Sequence, residues 1–195
     1  MAVLVIDRQA AMALHGRSAA VHVVVNPVVD AIELLFGFPI SKWLTGFALV
    51  VAGVVVFLAR RSASMGWLLL FAGVSQLVTR LVAGVLKNVF ARPRPYEALA
   101  GGEWRDAFFT DGSSFPSGHA AHFWPLFFAA AIAFPRYRWL LLALAVFVSI
   151  ARVVVNDHYV SDVTASAAIA AFIVYGFAGL LDRQLRKSRV TVAGE

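Results

Sequence analysis

Residues 151–162 read A-R-V-V-V-N-D-H-Y-V-S-D and set an arginine, a histidine and an aspartate between two long apolar segments. His158 and Asp162 are four apart, so on a helix they share a face. A carboxylate bonded to one imidazole nitrogen keeps the proton there and leaves the other nitrogen free to attack. Two further clusters carry compatible chemistry. Lys87-Asn88-Val89-Phe90-Ala91-Arg92-Pro93-Arg94-Pro95 closes one apolar segment with three cations and two helix-stopping prolines. Ser114-Phe115-Pro116-Ser117-Gly118-His119 opens the next.

These residue types suit phosphoryl transfer, in which charge spreads over equatorial oxygens and is met by fixed donors. Arg94 and Arg152 are expected to clamp phosphate oxygens bidentately, with Lys87 adding a point charge. Ser117 and Gly118 start a helix, where backbone N–H groups and the helix dipole favour an anion. His158 is then the nucleophile, oriented by Asp162. His119, which has no carboxylate four residues on, is the general acid for the leaving oxygen. The expected intermediate is a phosphohistidine, later hydrolysed by water.

Plainer readings compete. A lone histidine or arginine at a span end is most often an interfacial residue. A charge at membrane depth costs about 2.5–3.5 kcal/mol, however, so the five cations Lys87, Arg92, Arg94, Arg105 and Arg152 are hard to treat as indifferent. His119 and His122, three apart with no close carboxylate, make a poor metal pair, and His122 is assigned to packing. Asp106 and Asp111 lie among glycine and serine and fit an ordinary loop better than a cation site. No metal and no cofactor is expected.

The chain is 61% hydrophobic and 14% charged, with a mean hydropathy of +0.78. Soluble domains are about 45–50% apolar and about 25% charged, so this composition belongs to an integral membrane protein. Its 195 residues suit one membrane-embedded domain over residues 1–195, with the chemistry confined to 87–162. The absence of cysteine excludes disulfides, thiolate metal sites and cysteine nucleophiles. The net charge of +6 reads as topology signal and attraction to anionic lipid, not as nucleic-acid binding. The N-terminus lacks a basic stretch followed by a clean apolar core, so no cleavable signal is expected.

The elements that must position the clusters follow from hydropathy. Spans are expected over 43–59, 66–86, 118–134, 139–155 and 160–181. Residues 18–36 are apolar but interrupted by His22, Asn26, Asp30 and Glu33, which fall on one helical face, and Pro27 is a candidate kink. This segment either spans with its polar stripe facing the bundle or lies flat in the interface. The expected fold is therefore an all-α membrane bundle of six transmembrane helices, five if that segment lies flat. Residues 1–17 are mildly amphipathic and expected at the membrane surface. Gln76, Arg80 and Lys87 share a face, with Arg80 assigned to snorkelling or to an internal pair, for example with Asp30 or Glu33. The polar connection 95–115, with Trp104, Phe108 and Phe109, is expected at headgroup level near the site. With six spans and the N-terminus inside, Arg60, Arg61, Arg136, Arg138 and the basic tail from Arg183 fall on the cytoplasmic side. The five-cation cluster falls opposite, against the positive-inside tendency, and so needs another reason to be there.

The three clusters together resemble the type 2 phosphatidic acid phosphatase family, whose pocket is shared with the vanadium haloperoxidases. Lys87, Arg94 and Pro95 match a first motif of Lys, six residues and Arg-Pro. Pro116-Ser117-Gly118-His119 is the second motif entire. Arg152, His158 and Asp162 match the third, whose leading serine is here Ala151. The resemblance implies a metal-independent lipid phosphatase of six helices, with the third motif's histidine as nucleophile and the second's as acid. A missing neutral hydroxyl at Ala151 is worth about 1 kcal/mol and need not abolish activity.

The expectation is thus an integral phosphatase of a bacterial inner membrane, its site facing the periplasm or exterior, acting on a lipid phosphate or diphosphate. Undecaprenyl diphosphate leads the candidates, ahead of phosphatidylglycerophosphate, phosphatidate and lipid A phosphate. The partners are substrate and membrane lipids; nothing in the sequence sets the oligomeric state. A phosphotransferase with the same pocket, an anion transporter and a haloperoxidase-like enzyme are the alternatives.

Overall fold

A computed structural model describes residues 2–15, 18–59, 62–100 and 108–193, with side chains over 5–15, 23–59, 62–100 and 108–184. Arg60, Arg61, Trp104, Arg105, Asp106 and the side chains of His22, Arg186, Lys187 and Arg189 lie outside the described residues.

The described residues form helices α1 (Ala2–His15), α2 (Ser18–Leu35), α3 (Leu44–Leu58), α4 (Ala63–Phe90), α5 (Pro95–Ala98), α6 (Gly118–Ala133), α7 (Arg138–Val154) and α8 (Val160–Ala193), with a 3₁₀ turn at Pro135–Tyr137 and no strand among them. Helices α4, α6 and α8 pack on one another, α3 lies against α4 and α7 against α6, while α7 and α8 scarcely touch. Two apolar cores hold this arrangement. Phe71, Ala129, Val174 and Leu181 join α4, α6 and α8. Phe123, Phe127, Ala145 and Val148 join α6 to α7, and Ile32 and Phe36 pin α2 against them. Helices α3 and α4 approach through small residues: a side chain at Gly73 would come within 2.8 Å of the Gly46 carbonyl. Such small-residue contacts are how helices pack where lipid removes the hydrophobic drive.

Large apolar side chains point outward, Phe172 at 84% exposure among them, as expected for a surface solvated by lipid. Among the described residues, Ala63–Ala98, Pro135–Val154 and Val160–Gln184 contain helices long and apolar enough to cross a membrane. Helix α4, 28 residues, runs about 42 Å, more than the about 30 Å of a hydrocarbon core. Helices α3 and α6, at 15 and 16 residues, fall short of the usual length of about 20, the latter because the chain turns at Pro135. Six complete crossings are therefore not supplied by helix length alone.

Helix α1, expected at the membrane surface, also lies against α8, with Asp7 1% exposed. One expectation is narrowed. Arg80 pairs with neither Asp30 nor Glu33. It donates to the Gly118 carbonyl at 2.5 Å and rests over the rings of Phe38 and Trp43, because α2 delivers Glu33 to a different partner.

Candidate active site

The three motifs meet at one end of the bundle. Helix α4 ends at Ala91, whose left-handed backbone (φ 39°) turns the chain out ahead of Pro93 and Pro95. The segment 109–114 then runs back along this exit: Thr110 and Gly112 N–H donate to the Ala91 carbonyl, and Ser114 N–H donates to that of Arg92 at 2.8 Å. Lys87 Nζ accordingly reaches the carbonyls of Ser113 and Ser114. Ser117 caps α6 through its side chain, which accepts from Ala120 N–H.

Ser117 is also tied to α8. Its N–H donates to the Asp162 carbonyl at 3.1 Å, and Ser166 Oγ donates to its carbonyl. This corrects the expectation that both Ser117 and Gly118 aim backbone N–H groups at an anion. The Ser117 N–H is committed to locking motif two onto motif three, so of the two expected donors only the Gly118 N–H, at the first turn of α6, is left.

His158 and Asp162 are brought together as the spacing predicts. His158 Nδ1 lies 3.3 Å from Asp162 Oδ2 and 3.4 Å from Ser114 Oγ. Asp162 is saturated: it also accepts from Tyr159 N–H at 3.0 Å, from Arg92 at 3.0 Å and from Ser114 Oγ. A carboxylate so bonded is fixed in place, and it fixes the imidazole in turn. Nδ1 is thereby engaged, which leaves Nε2 as the atom able to attack. Burial pushes the His158 imidazole down to about 4, with Lys87 and Arg94 acting in the same sense and Asp162 opposing, so the ring is neutral at physiological pH. The His119 ring lies 6.5 Å away, centroid to centroid, close enough for one phosphoester group to meet both.

Residues whose place at the site the sequence did not show surround the two histidines. Glu33 Oε1 lies 2.9 Å from His119 Nε2, so the second histidine does have a carboxylate, supplied by α2 and not by its own helix. Phe38 lies against the His119 ring, tilted by 33° with the centroids 4.8 Å apart. Arg92, fully buried, bridges Asp162 to Asp7, each at 3.0 Å, and lies over the Tyr159 ring. Asp7 accepts in addition from the Ser161 N–H and hydroxyl. Asp157 meets the guanidinium groups of Arg152 and, at 3.9 Å, Arg94. The polar stripe of residues 22–33 was the one visible signal for Glu33. Nothing in the sequence pairs Asp7 with a residue 85 positions away. His122 is buried and bonded through Nδ1 to Gln76, in agreement with a packing role.

Ala151, at the motif's serine position, is buried, and the hydroxyl that touches the His158–Asp162 pair belongs to Ser114. Beside the site an apolar groove of about 270 Å³ opens between α6, α7 and α8, lined by Trp124, Ile150, Val153, Val160 and Val163. The arrangement as a whole offers a fixed imidazole, a second histidine with its own carboxylate, and a cluster of cations, groups that suit phosphoryl transfer.

The chain is similar to known proteins. A family model described as the PAP2 superfamily matches residues 67–186. A lipid A 1-phosphatase from Rhizobium johnstonii is 34% identical over 173 residues, covering 80% of this chain and 71% of that protein. A lipid A 1-phosphatase from Rhizobium etli is 32% identical over 167 residues, covering 76% and 72%. A crystal structure of a transmembrane PAP2-type phosphatidylglycerolphosphate phosphatase from Bacillus subtilis aligns over 93% of this chain and 95% of that one, with a TM-score of 0.48 and 19% identity.

Proposed function

The chain belongs to the PAP2 superfamily and is a membrane lipid phosphatase of that type, and from this premise we propose that it removes the 1-phosphate of lipid A through a phosphohistidine intermediate. The observation that carries the mechanism is the pairing of two histidines with two carboxylates, His158 with Asp162 and His119 with Glu33, beside Lys87, Arg94 and Arg152. His158 Nε2 attacks phosphorus while Asp162 stabilises the imidazolium form. Arg94, Arg152, Lys87 and the Gly118 N–H hold the equatorial oxygens. His119 protonates the departing oxygen and then takes a proton from the water that cleaves the phosphohistidine. The cations supply the charge stabilisation that a metal would otherwise bring, so turnover in EDTA is expected.

The choice of lipid A phosphate over undecaprenyl diphosphate rests on the two relatives that bear that activity in their names. A lipid substrate also suits the apolar groove between α6, α7 and α8. The site is proposed to face away from the cytoplasm. Arg136 and Arg138 sit at the opposite ends of α6 and α7, where the positive-inside tendency wants them.

The deciding experiment supplies purified protein with lipid A, undecaprenyl diphosphate, phosphatidate and phosphatidylglycerophosphate in EDTA and measures phosphate release. Lipid A is expected to be the preferred substrate and His158→Ala inert. Release from undecaprenyl diphosphate alone would replace the substrate, and release from none would end the reading. Acid-quenched wild type should retain 32P from labelled substrate, and equal labelling of His158→Ala would remove the covalent step. Sidedness can be read on a chain without cysteine: Ser113→Cys should react with an impermeant thiol reagent from the periplasmic side.

A further inference from the structure

The two arginines assigned to phosphate already face a carboxylate of the same chain. Asp157 Oδ2 meets Arg152 Nη2, and its other oxygen lies 3.9 Å from Arg94 Nη1. The three side chains are 17%, 12% and 28% exposed, so the cluster can be reached by a ligand, unlike the sealed Asp7–Arg92–Asp162 pairs. The carboxylate is held in place from behind. Asn156 takes a left-handed backbone (φ 63°), and the N–H groups of Asp157 and His158 both donate to the Arg152 carbonyl, at 3.1 and 3.2 Å. Arg152 therefore anchors the turn through its main chain and receives the carboxylate on its side chain.

A carboxylate presents two oxygens to a guanidinium as a phosphate does. An arginine bonded to a carboxylate, as Arg152 is, cannot give its full donor set to a phosphate until that carboxylate withdraws, and a dianion placed beside it is repelled. We propose that Asp157 is an internal competitor for the phosphate site: it holds Arg94 and Arg152 ready while the site is empty, weakens the binding of phosphate dianions and expels inorganic phosphate after turnover. The proposal rests on the assignment of these arginines to phosphate. A bound state available only when a competing arm withdraws loses apparent affinity in proportion to the fraction of free sites. If the arm is closed in about nine molecules of ten, its removal tightens binding about tenfold.

The test is titration of the full-length protein in detergent with inorganic phosphate, by calorimetry, for wild type, Asp157→Asn, Asp157→Ser and Arg152→Ala. The expected result is a Kd about tenfold lower in both Asp157 variants, with product inhibition by phosphate strengthened by the same factor, and binding lost in Arg152→Ala. An unchanged or higher Kd in both Asp157 variants, with Arg152→Ala still defective, overturns the competitor role alone and makes Asp157 a support for Arg152. Undetectable phosphate binding by wild type, or undiminished binding by Arg152→Ala, overturns the phosphate pocket and the competitor together.

Discussion

Replacing Arg92 by methionine tests whether the N-terminal helix is part of the catalytic architecture. Arg92 is fully buried and donates to Asp162, to Asp7 and to Ser161, and its guanidinium lies 3.6 Å from the centre of the Tyr159 ring. Methionine fills much of the volume but leaves two buried carboxylates without their cation. Breaking a buried pair from one side costs about 3–5 kcal/mol. Both anions keep other donors here, Asp162 from Ser114 and the Tyr159 N–H, Asp7 from the Ser161 N–H and hydroxyl, so the lower end, about 3 kcal/mol, is expected. Activity falls as well, because Asp162 loses one of the contacts that aim it at His158. The diagnostic is the second variant. Asp7→Asn destabilises on its own, yet added to Arg92→Met it removes a stranded charge, so the double variant should recover about 1.5–3 kcal/mol relative to additivity. Equilibrium unfolding in mixed micelles, followed by tryptophan fluorescence, gives all four corners of the cycle. An Arg92→Met protein within about 0.5 kcal/mol of wild type, or strict additivity with Asp7→Asn, would refute the bridge.

Three further outcomes follow from the site. Glu33→Gln deprives His119 of its carboxylate and should lower kcat on a lipid substrate roughly tenfold to hundredfold, within the range general acid catalysis supplies. The loss should be much smaller on p-nitrophenyl phosphate, whose leaving group needs little protonation; equal losses on both would place Glu33 outside proton transfer. The acid limb of kcat/KM, corrected for substrate ionisation, should lie near pH 4–5, because His158 attacks only when neutral and burial lowers it to about 4; activity is kept as pH falls through 6 and lost as it nears 4. A limb at the free-imidazole value of about 6.5 would contradict the buried, neutral nucleophile. Ala151→Ser should change kcat/KM by less than about fivefold, the worth of one neutral hydrogen bond, since Ser114 already carries the hydroxyl on the His158–Asp162 pair.

Much of the site was legible before any fold was known. The four-residue step from His158 to Asp162 is helical geometry, so it survives folding unchanged, with Nδ1 on the carboxylate. The helix end after Lys87 and the helix start at Ser117 are local as well, set by prolines, a serine cap and glycine. The hydropathy pattern placed five segments on helices that the structure contains, and the family motifs are read in order along the chain.

What local rules could not decide were partners chosen across the bundle. Arg80 was expected to snorkel or to pair internally, with Asp30 or Glu33 as examples, but α2 docks through Ile32 and Phe36 on α6 and α7, which carries Glu33 to His119 and leaves Arg80 to the Gly118 carbonyl. The Ser117 N–H looked available to an anion because it starts a helix; only the packing of α8 shows it spent on the Asp162 carbonyl. Asp157 and Asp7 look like ordinary polar residues in sequence, since neither has a cation at helical spacing that would explain it. The sequence by itself determined the candidate groups and their local frames, because those depend on residues a turn apart. Which carboxylate serves which cation was decided by tertiary structure, because in a buried, low-dielectric site each charge takes the partner that packing brings within about 3–4 Å.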